Sequence, residues 1–214
     1  MYLPRHFEEA RPEVLQHIMR AHPFATLVTQ SANGPVVNHL PFMWVPEGGP
    51  HGMLRGHVAR ANPLWQDTLP GSEAIAVFQA ADHYISPNWY PGKASDPRVV
   101  PTWNYALVHA HGPLRVIQDK ASLHALVTVL TDTHEGGRVA PWKVSDAPAD
   151  YLDKMLGAIV GLEIPITRLV GKVKASQNRS AADRAGVARG LAAETSAAAS
   201  AMAQWVPIEN RSAD

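Results

Sequence analysis

The chain contains no cysteine, which excludes disulfide staples, thiolate nucleophiles and every cysteine-based metal centre. It has no excess of either charge, with 19 Lys and Arg against 19 Asp and Glu, so no net field steers it toward a polyanion. Every uncharged apolar run falls short of the ~20 residues that cross a bilayer. The opening MYLPRHFEEARPE places acids where a secretory signal needs an apolar stretch. A cytoplasmic protein with no membrane partner is expected. Also missing are a G-x-G-x-x-G fingerprint, a phosphate loop around Gly92-Lys93 or Gly171-Lys172, and a G-x-S-x-G elbow. Rossmann and P-loop sites, and serine hydrolysis at Ser86, lose their support. No internal repeat occurs, which sets aside solenoids and arrays.

What is present reads as a β-rich domain. A hydrophobic content of 46% over 214 residues suits one substantial core. Val14, Leu15, Ile18 and Met19 fall at helical spacing ahead of Pro23 and predict a helix over 13–22. FATLVTQ and PVVNHLPFMWV flank Asn33-Gly34 and predict a hairpin of strands over 24–30 and 36–45. MLRGHV predicts a strand with Met53, Arg55 and His57 on one face and Leu54, Gly56 and Val58 on the other. EAIAVFQ extends the sheet over 73–79, and residues 80–98, dense in aromatics and prolines, read as a long structured loop. WNYALVHAH predicts a further strand, with Gly112-Pro113 at a bulge or edge.

Helices are expected after Asp119, over 151–160, and after Ser180, where Ser180 and Asp183 resemble a capping box. LEIPITRLVGKVK between the last two is strand-like, and AAETSAAASAMAQ reads as a tail or a dimer-docking helix. The expected class is α+β, mainly β, as one domain over 1–214 with a C-terminal helical extension from about residue 180.

Candidate chemistry concentrates between His39 and His111. Arg55, His57, Arg60 and Asn62 in RGHVARAN supply donors able to converge on a phosphate; the alternative is ordinary exposed strand-end residues. Trp44, Tyr84, Trp89, Tyr90, Trp103 and Tyr105 suit a planar ligand such as a flavin, unless they fill the core or a subunit contact. His109 and His111 share one strand face but lack a third ligand at a recognisable spacing, so no metal is assigned. Arg168, Lys172, Lys174, Arg179, Arg184 and Arg189 against the single acid Asp183 form a local basic segment. That segment admits DNA as a partner or is a solvated face, and no helix-turn-helix pattern accompanies it.

Read together and in order, MYLPRHFEE, NHLPF, LRGHVARANPLW, YISPNWY, VVPTWNYALVHAHG and KASQNRSAADRAGVARGL resemble the PaiB-like family of FMN-binding negative transcriptional regulators. The resemblance runs nearly end to end. It implies an FMN-binding split β-barrel with peripheral helices, of the type shared with pyridoxamine-phosphate oxidases and small flavin reductases. It further implies a homodimer with FMN in a cleft between subunits. Asn38, His39 and Leu40 would line the isoalloxazine, Arg55, His57, Arg60 and Asn62 would face the phosphate, and Trp103, Asn104 and Tyr105 would close the cleft from either subunit. Three functions follow from different classes: a repressor that senses or retains FMN, a flavin-dependent oxidoreductase, and a haem-binding or haem-degrading protein using His109 or His111. Fold alone does not choose among them.

Overall fold

The computed structural model of the chain describes residues 1–208. Strands run over β1 Glu8–Glu9, β2 Phe24–Ser31, β3 Gly34–Pro41, β4 Met43–Val45, β5 Met53–Ala59, β6 Glu73–Ile85, β7 Thr102–Pro113, β8 Arg115–Ile117, β9 Ile159–Pro165 and β10 Arg168–Lys174. The α-helices are α1 Pro12–Ala21, α2 Leu64–Asp67, α3 Lys120–Glu135, α4 Ala149–Gly157, α5 Ala181–Ala193 and α6 Ala197–Ala203. The chain divides into two compact units, one formed by Met1–Ala21, Gln79–Val108 and the chain from Val170 onward, the other by His22–Phe78 and His109–Leu169.

In the first unit the strand order is β1-β10-β7-β6, with Glu8 opposite Lys172 in antiparallel register. α1 starts on Pro12, whose missing N–H costs nothing at a first helical position, and it buries Leu15, Ile18 and Met19 as its spacing predicts. β6 continues to Ile85, so the first part of the stretch read as a loop is strand. The buried positions shift there from Ala74, Ala76 and Phe78 to Ala81 and Ile85, a slip of one residue in the alternation. Ala81, Ile85, Tyr90, Val187, Leu191 and Met202 belong to one core cluster, so α6 packs into this unit and is not a free tail.

YISPNWY and the α5 sequence form a packing joint in the same unit. The Ser180 hydroxyl caps α5 by accepting from the Asp183 amide, while the Asp183 carboxylate accepts from the Gly92 amide at 2.9 Å. A Cβ at Gly190 would stand 2.2 Å from the Trp89 ring, so the indole lies where only glycine leaves room.

In the second unit β2 lies between β6 and β3, paired from Phe24↔Pro41 to Ser31↔Gly34. A separate sheet has the order β4-β5-β9-β8. The run read as one strand over 36–45 breaks at Phe42, which turns inward to 1% exposure and donates its amide to the Pro23 carbonyl at 2.8 Å. Gly56 permits this corner, because a Cβ there would stand 2.8 Å from the Pro41 carbonyl oxygen. α3, capped by the Asp119 carboxylate accepting from the Ser122 amide at 2.8 Å, buries Leu123, Leu126 and Leu130. α4 ends at Gly157, earlier than its expected limit, and β-branched Ile159 and Val160 open β9 instead.

The α+β, mainly β class therefore stands. The split β-barrel is met only in part: among the described residues neither sheet closes on itself. Proline supplies a physical reason. The edge strand β3 carries Pro35 and Pro41, neither of which can donate to a further strand. Among the described residues no helix is long and apolar enough to cross a membrane.

Candidate functional site

The second unit brings two of the expected segments together. Asn62 Nδ2 donates to Asn38 Oδ1 at 2.9 Å, and Asn62 Oδ1 accepts from the Leu64 amide at 2.9 Å, which fixes the amide plane. Both residues line a cavity of about 210 Å³ with Thr29, Val36, Asp67 and Thr68. Along the edge strand β3, Leu40 turns into the core, while His39 is exposed and stacks on Phe24 at 6.5 Å between centroids. Phe24 and Val37 are themselves 67% and 54% exposed. Trp44 lies apart from this group, donating its indole N–H to the His51 carbonyl at 3.0 Å.

The guanidinium groups of RGHVARAN are already engaged. Arg55 sits opposite Glu163 in the β5–β9 register and donates to its carboxylate at 2.8 Å from both Nε and Nη2. Arg60 clamps the end of α4 to the start of β9, from Nε to the Gly157 carbonyl at 2.8 Å and from Nη2 to the Ile159 carbonyl at 3.0 Å. Its Nη1 donates to Gln118 Oε1 at 3.1 Å. These are long-range partners, and no local signal in the sequence pointed to Glu163 or Gln118. His57 Nδ1 is buried without a hydrogen-bond partner, and burial holds the imidazole pKa below its ordinary value.

Trp103, Asn104 and Tyr105 lie on β7 within the first unit. Alternation sends Asn104 inward to 1% exposure, where its Nδ2 donates to Ser176 Oγ at 2.9 Å and its Oδ1 lacks a partner. Trp103 is 54% exposed and meets Tyr84 edge-on at 6.2 Å. Lys172 Nζ stands 5.1 Å from the Tyr105 ring and donates to the Tyr2 carbonyl at 3.0 Å. Lys174 donates to Thr102 Oγ1 and to the Trp103 carbonyl at 2.7 Å. Burial, then the charges of Lys172 and Arg179, lower the Lys174 pKa.

The remaining candidates are held by the protein itself. His111 is buried, its Nδ1 at 2.9 Å from Glu73 Oε2 and 2.8 Å from Arg168 Nη2. The hydrogen bond from His111 and the charges of His111 and Arg168 hold the Glu73 carboxyl below the usual range. His109 is half-buried, and desolvation followed by the neighbouring His111 lowers its pKa. Of the basic segment, Lys172 and Arg184 are buried, and Arg184 donates to the carbonyls of Pro207 at 2.8 Å and Arg179 at 2.9 Å. Arg179 lies 4.6 Å from the Tyr90 ring. The basic stretch is thus internal cross-linking more than surface.

A family model described as "Putative FMN-binding domain" matches residues 1–168. The chain belongs to this family. The membership inferred from the ordered motifs is borne out. Protease synthase and sporulation protein PAI 2 of Bacillus subtilis is 29% identical to the chain, covering 95% of each. An uncharacterized protein of Emericella nidulans is 32% identical, over 89% of this chain and 90% of that one. Two solved structures share the fold: the FAD and heme binding protein from Mycobacterium smegmatis, with TM-score 0.57, 20% identity and coverage of 78% and 73%, and the flavocytochrome Anf3 from Azotobacter vinelandii, with TM-score 0.57, 18% identity and coverage of 80% and 72%. At such identity the likeness concerns the fold alone.

Proposed function

We propose that this member of the FMN-binding domain family is a cytoplasmic homodimer that holds FMN along β3 of its second unit, with the open sheets of that unit serving as the split-barrel frame. The observation that carries the reading is the Phe24–His39 stack left exposed on one face of β3; the Asn38–Asn62 pair lies on the opposite face of the strand. Exposed flat rings, one of them carrying imidazole nitrogens, suit an isoalloxazine, which needs an apolar face and directional polar contacts. The phosphate end is assigned only the donors that the protein leaves over. Arg60 keeps an N–H on Nη1 and on Nη2, and Asn62 lies two residues along. When bound, FMN supplies the capacity for hydride or electron transfer, while the chain's residues position the ring and its phosphate.

A homodimer accounts for the apolar edge formed by Phe24 and Val37, since a second copy covering β3 removes it from water. Regulation is the favoured output, following the motif resemblance to negative regulators, and oxidoreductase turnover is the competing one. A single titration tests the reading. The purified protein should bind FMN at micromolar concentration with a perturbed flavin spectrum, and His39→Ala should weaken it. Bleaching of the bound flavin by NADH or NADPH, at a rate above free FMN, would move the assignment to an oxidoreductase. Absence of FMN binding sinks it.

A further inference from the structure

The flavin reading leaves Arg55 over, and Arg55 opens onto a separate cavity of the second unit. This cavity of about 360 Å³ lies where the first turns of α3 meet β8 and the β5–β9 pair, and Arg55 and Glu163 line it together with the apolar side chains of Met43, Val116, Leu126 and Val129. That volume sits at the lower end of the roughly 300–1,000 Å³ of small-molecule sites. It suits a compact ligand.

The ion pair in this cavity is lopsided. A guanidinium facing a carboxylate can engage both oxygens as a fork, but Arg55 Nε and Nη2 both contact Glu163 Oε1 at 2.8 Å. Glu163 Oε2 and Arg55 Nη1 have no partner among the described residues. Neither atom is sealed off, because the fully buried side-chain atoms without a partner belong to His57, Tyr90 and Asn104; both therefore keep surface that a ligand can reach. The Glu163 side chain is nonetheless only 16% exposed, so its free oxygen is partly withdrawn from water, at a cost that a charged donor would offset. Arg115 stands opposite Glu163 on β8 and, among the described residues, forms no ion pair with it. Gln118 and Ser122 also line the cavity. Gln118 uses its Oε1 for Arg60 and keeps its amide N–H groups, and Ser122 brings a hydroxyl.

One reachable anionic acceptor and one reachable cationic donor thus stand side by side next to an aliphatic wall. A simple cation or a simple anion would engage one and leave the other, whereas a zwitterion engages both. We propose that this cavity binds a small aliphatic α-amino acid, with its ammonium donating to Glu163 Oε2, its carboxylate accepting from Arg55 Nη1 and the Ser122 hydroxyl, and its side chain against Val116, Leu126 and Val129. The step is binding only. It goes beyond the flavin assignment and does not depend on it, so a failure of FMN binding leaves the test intact.

The probes are L-leucine, 3-methylbutylamine and 4-methylpentanoate, which share one branched chain and carry both charges, the ammonium alone and the carboxylate alone. Each is titrated into the purified full-length chain by calorimetry. Leucine should saturate the protein below about 1 mM and bind at least about tenfold more tightly than either single-charge analogue, the ratio of one charge-assisted hydrogen bond. Glu163→Gln keeps the shape and removes the negative charge, so it should weaken leucine about tenfold and leave 4-methylpentanoate unchanged. Ala125→Trp adds bulk at an exposed position of α3 that lines the cavity and should block all three probes while the melting temperature holds. The comparison of probes uses the unaltered protein, so it stands even if Glu163→Gln does not fold. Three results would overturn the proposal. One is leucine that does not saturate, and another is a single-charge analogue that binds as tightly as leucine. The third is leucine binding that survives Ala125→Trp, which would place the amino acid elsewhere on the chain.

Discussion

Replacing Arg60 by alanine tests whether one guanidinium serves both the frame and the ligand. Its Nε, Nη1 and Nη2 reach the Gly157 carbonyl, Gln118 and the Ile159 carbonyl, joining the end of α4 to the start of β9. These bonds are largely solvent-accessible, so each is worth about 0.5–1 kcal/mol and the clamp about 2 kcal/mol in total. In a chain of this size that corresponds to a fall in Tm of about 4–8 °C. The phosphate assignment adds a second signature: Arg60→Ala should weaken FMN about tenfold more than riboflavin, which lacks the phosphate. Arg60→Lys separates the roles. A lysine retains a charge for phosphate but not the planar fork that spans two carbonyls, so Tm should fall almost as far while much of the FMN preference survives. An unchanged Tm in Arg60→Ala refutes the clamp. Equal losses of FMN and riboflavin, measured on folded protein, refute the phosphate contact.

Other positions give independent checks. Gly190→Ala would drive a methyl to 2.2 Å from the Trp89 ring, so thermal denaturation should show a loss of about 1–3 kcal/mol with a shift in Trp89 emission; a neutral effect would mean the joint is loose. The lowered His109 pKa means that the unfolded chain takes up protons first as pH drops. Stability should therefore decline as pH falls below the ordinary histidine value of 6.5, and His109→Gln should flatten that slope in pH-dependent denaturation. Val37→Glu places a charge on the exposed β3 edge, so, if the proposed homodimer forms there, sedimentation should show a shift from dimer to monomer with FMN affinity reduced; an unchanged sedimentation profile would overturn a β3 interface.

Element types were legible because they depend on near neighbours. α1 follows the spacing of Leu15, Ile18 and Met19, and the β2–β3 hairpin follows two β-favouring runs around a turn. The break at Phe42 was hidden, since NHLPFMWV alternates as one strand would and only the close crossing at Gly56 reveals the corner. The reach of β6 was hidden by the polar residues of ADHYI, which mark a strand with one exposed face as readily as a loop. Of the site, Asn38 and Asn62 do meet, but their hydrogen bond joins β3 to the turn before α2 across 24 residues of sequence. For the same reason Trp89 reads as ligand chemistry when it packs against Gly186 and Gly190 in a loop-to-helix joint. Donor-rich segments display their residue types locally, whereas the partners that engage those donors lie elsewhere in the chain.

That distinction bears most on DNA. Counterion release requires cations that can reach phosphates, and the salt slope is about −0.9 per phosphate neutralised. In the segment from Arg168 to Arg189, Arg168 contacts Glu73 and His111. Lys172 and Lys174 donate to carbonyls, and Arg184 is buried against Pro207 and Arg179. Arg189 is exposed and Arg179 half-buried over Tyr90, which leaves two cations from this stretch for an outside partner. If the segment alone contacts DNA, log K against log salt should slope no more steeply than about −2, too shallow for tight retention at physiological ionic strength. A slope near −5 that collapses when Lys172, Lys174 and Arg184 are neutralised in folded protein would show that these cations do leave their internal partners. A shallow slope instead places any repressor activity on a protein partner or on another surface of the chain.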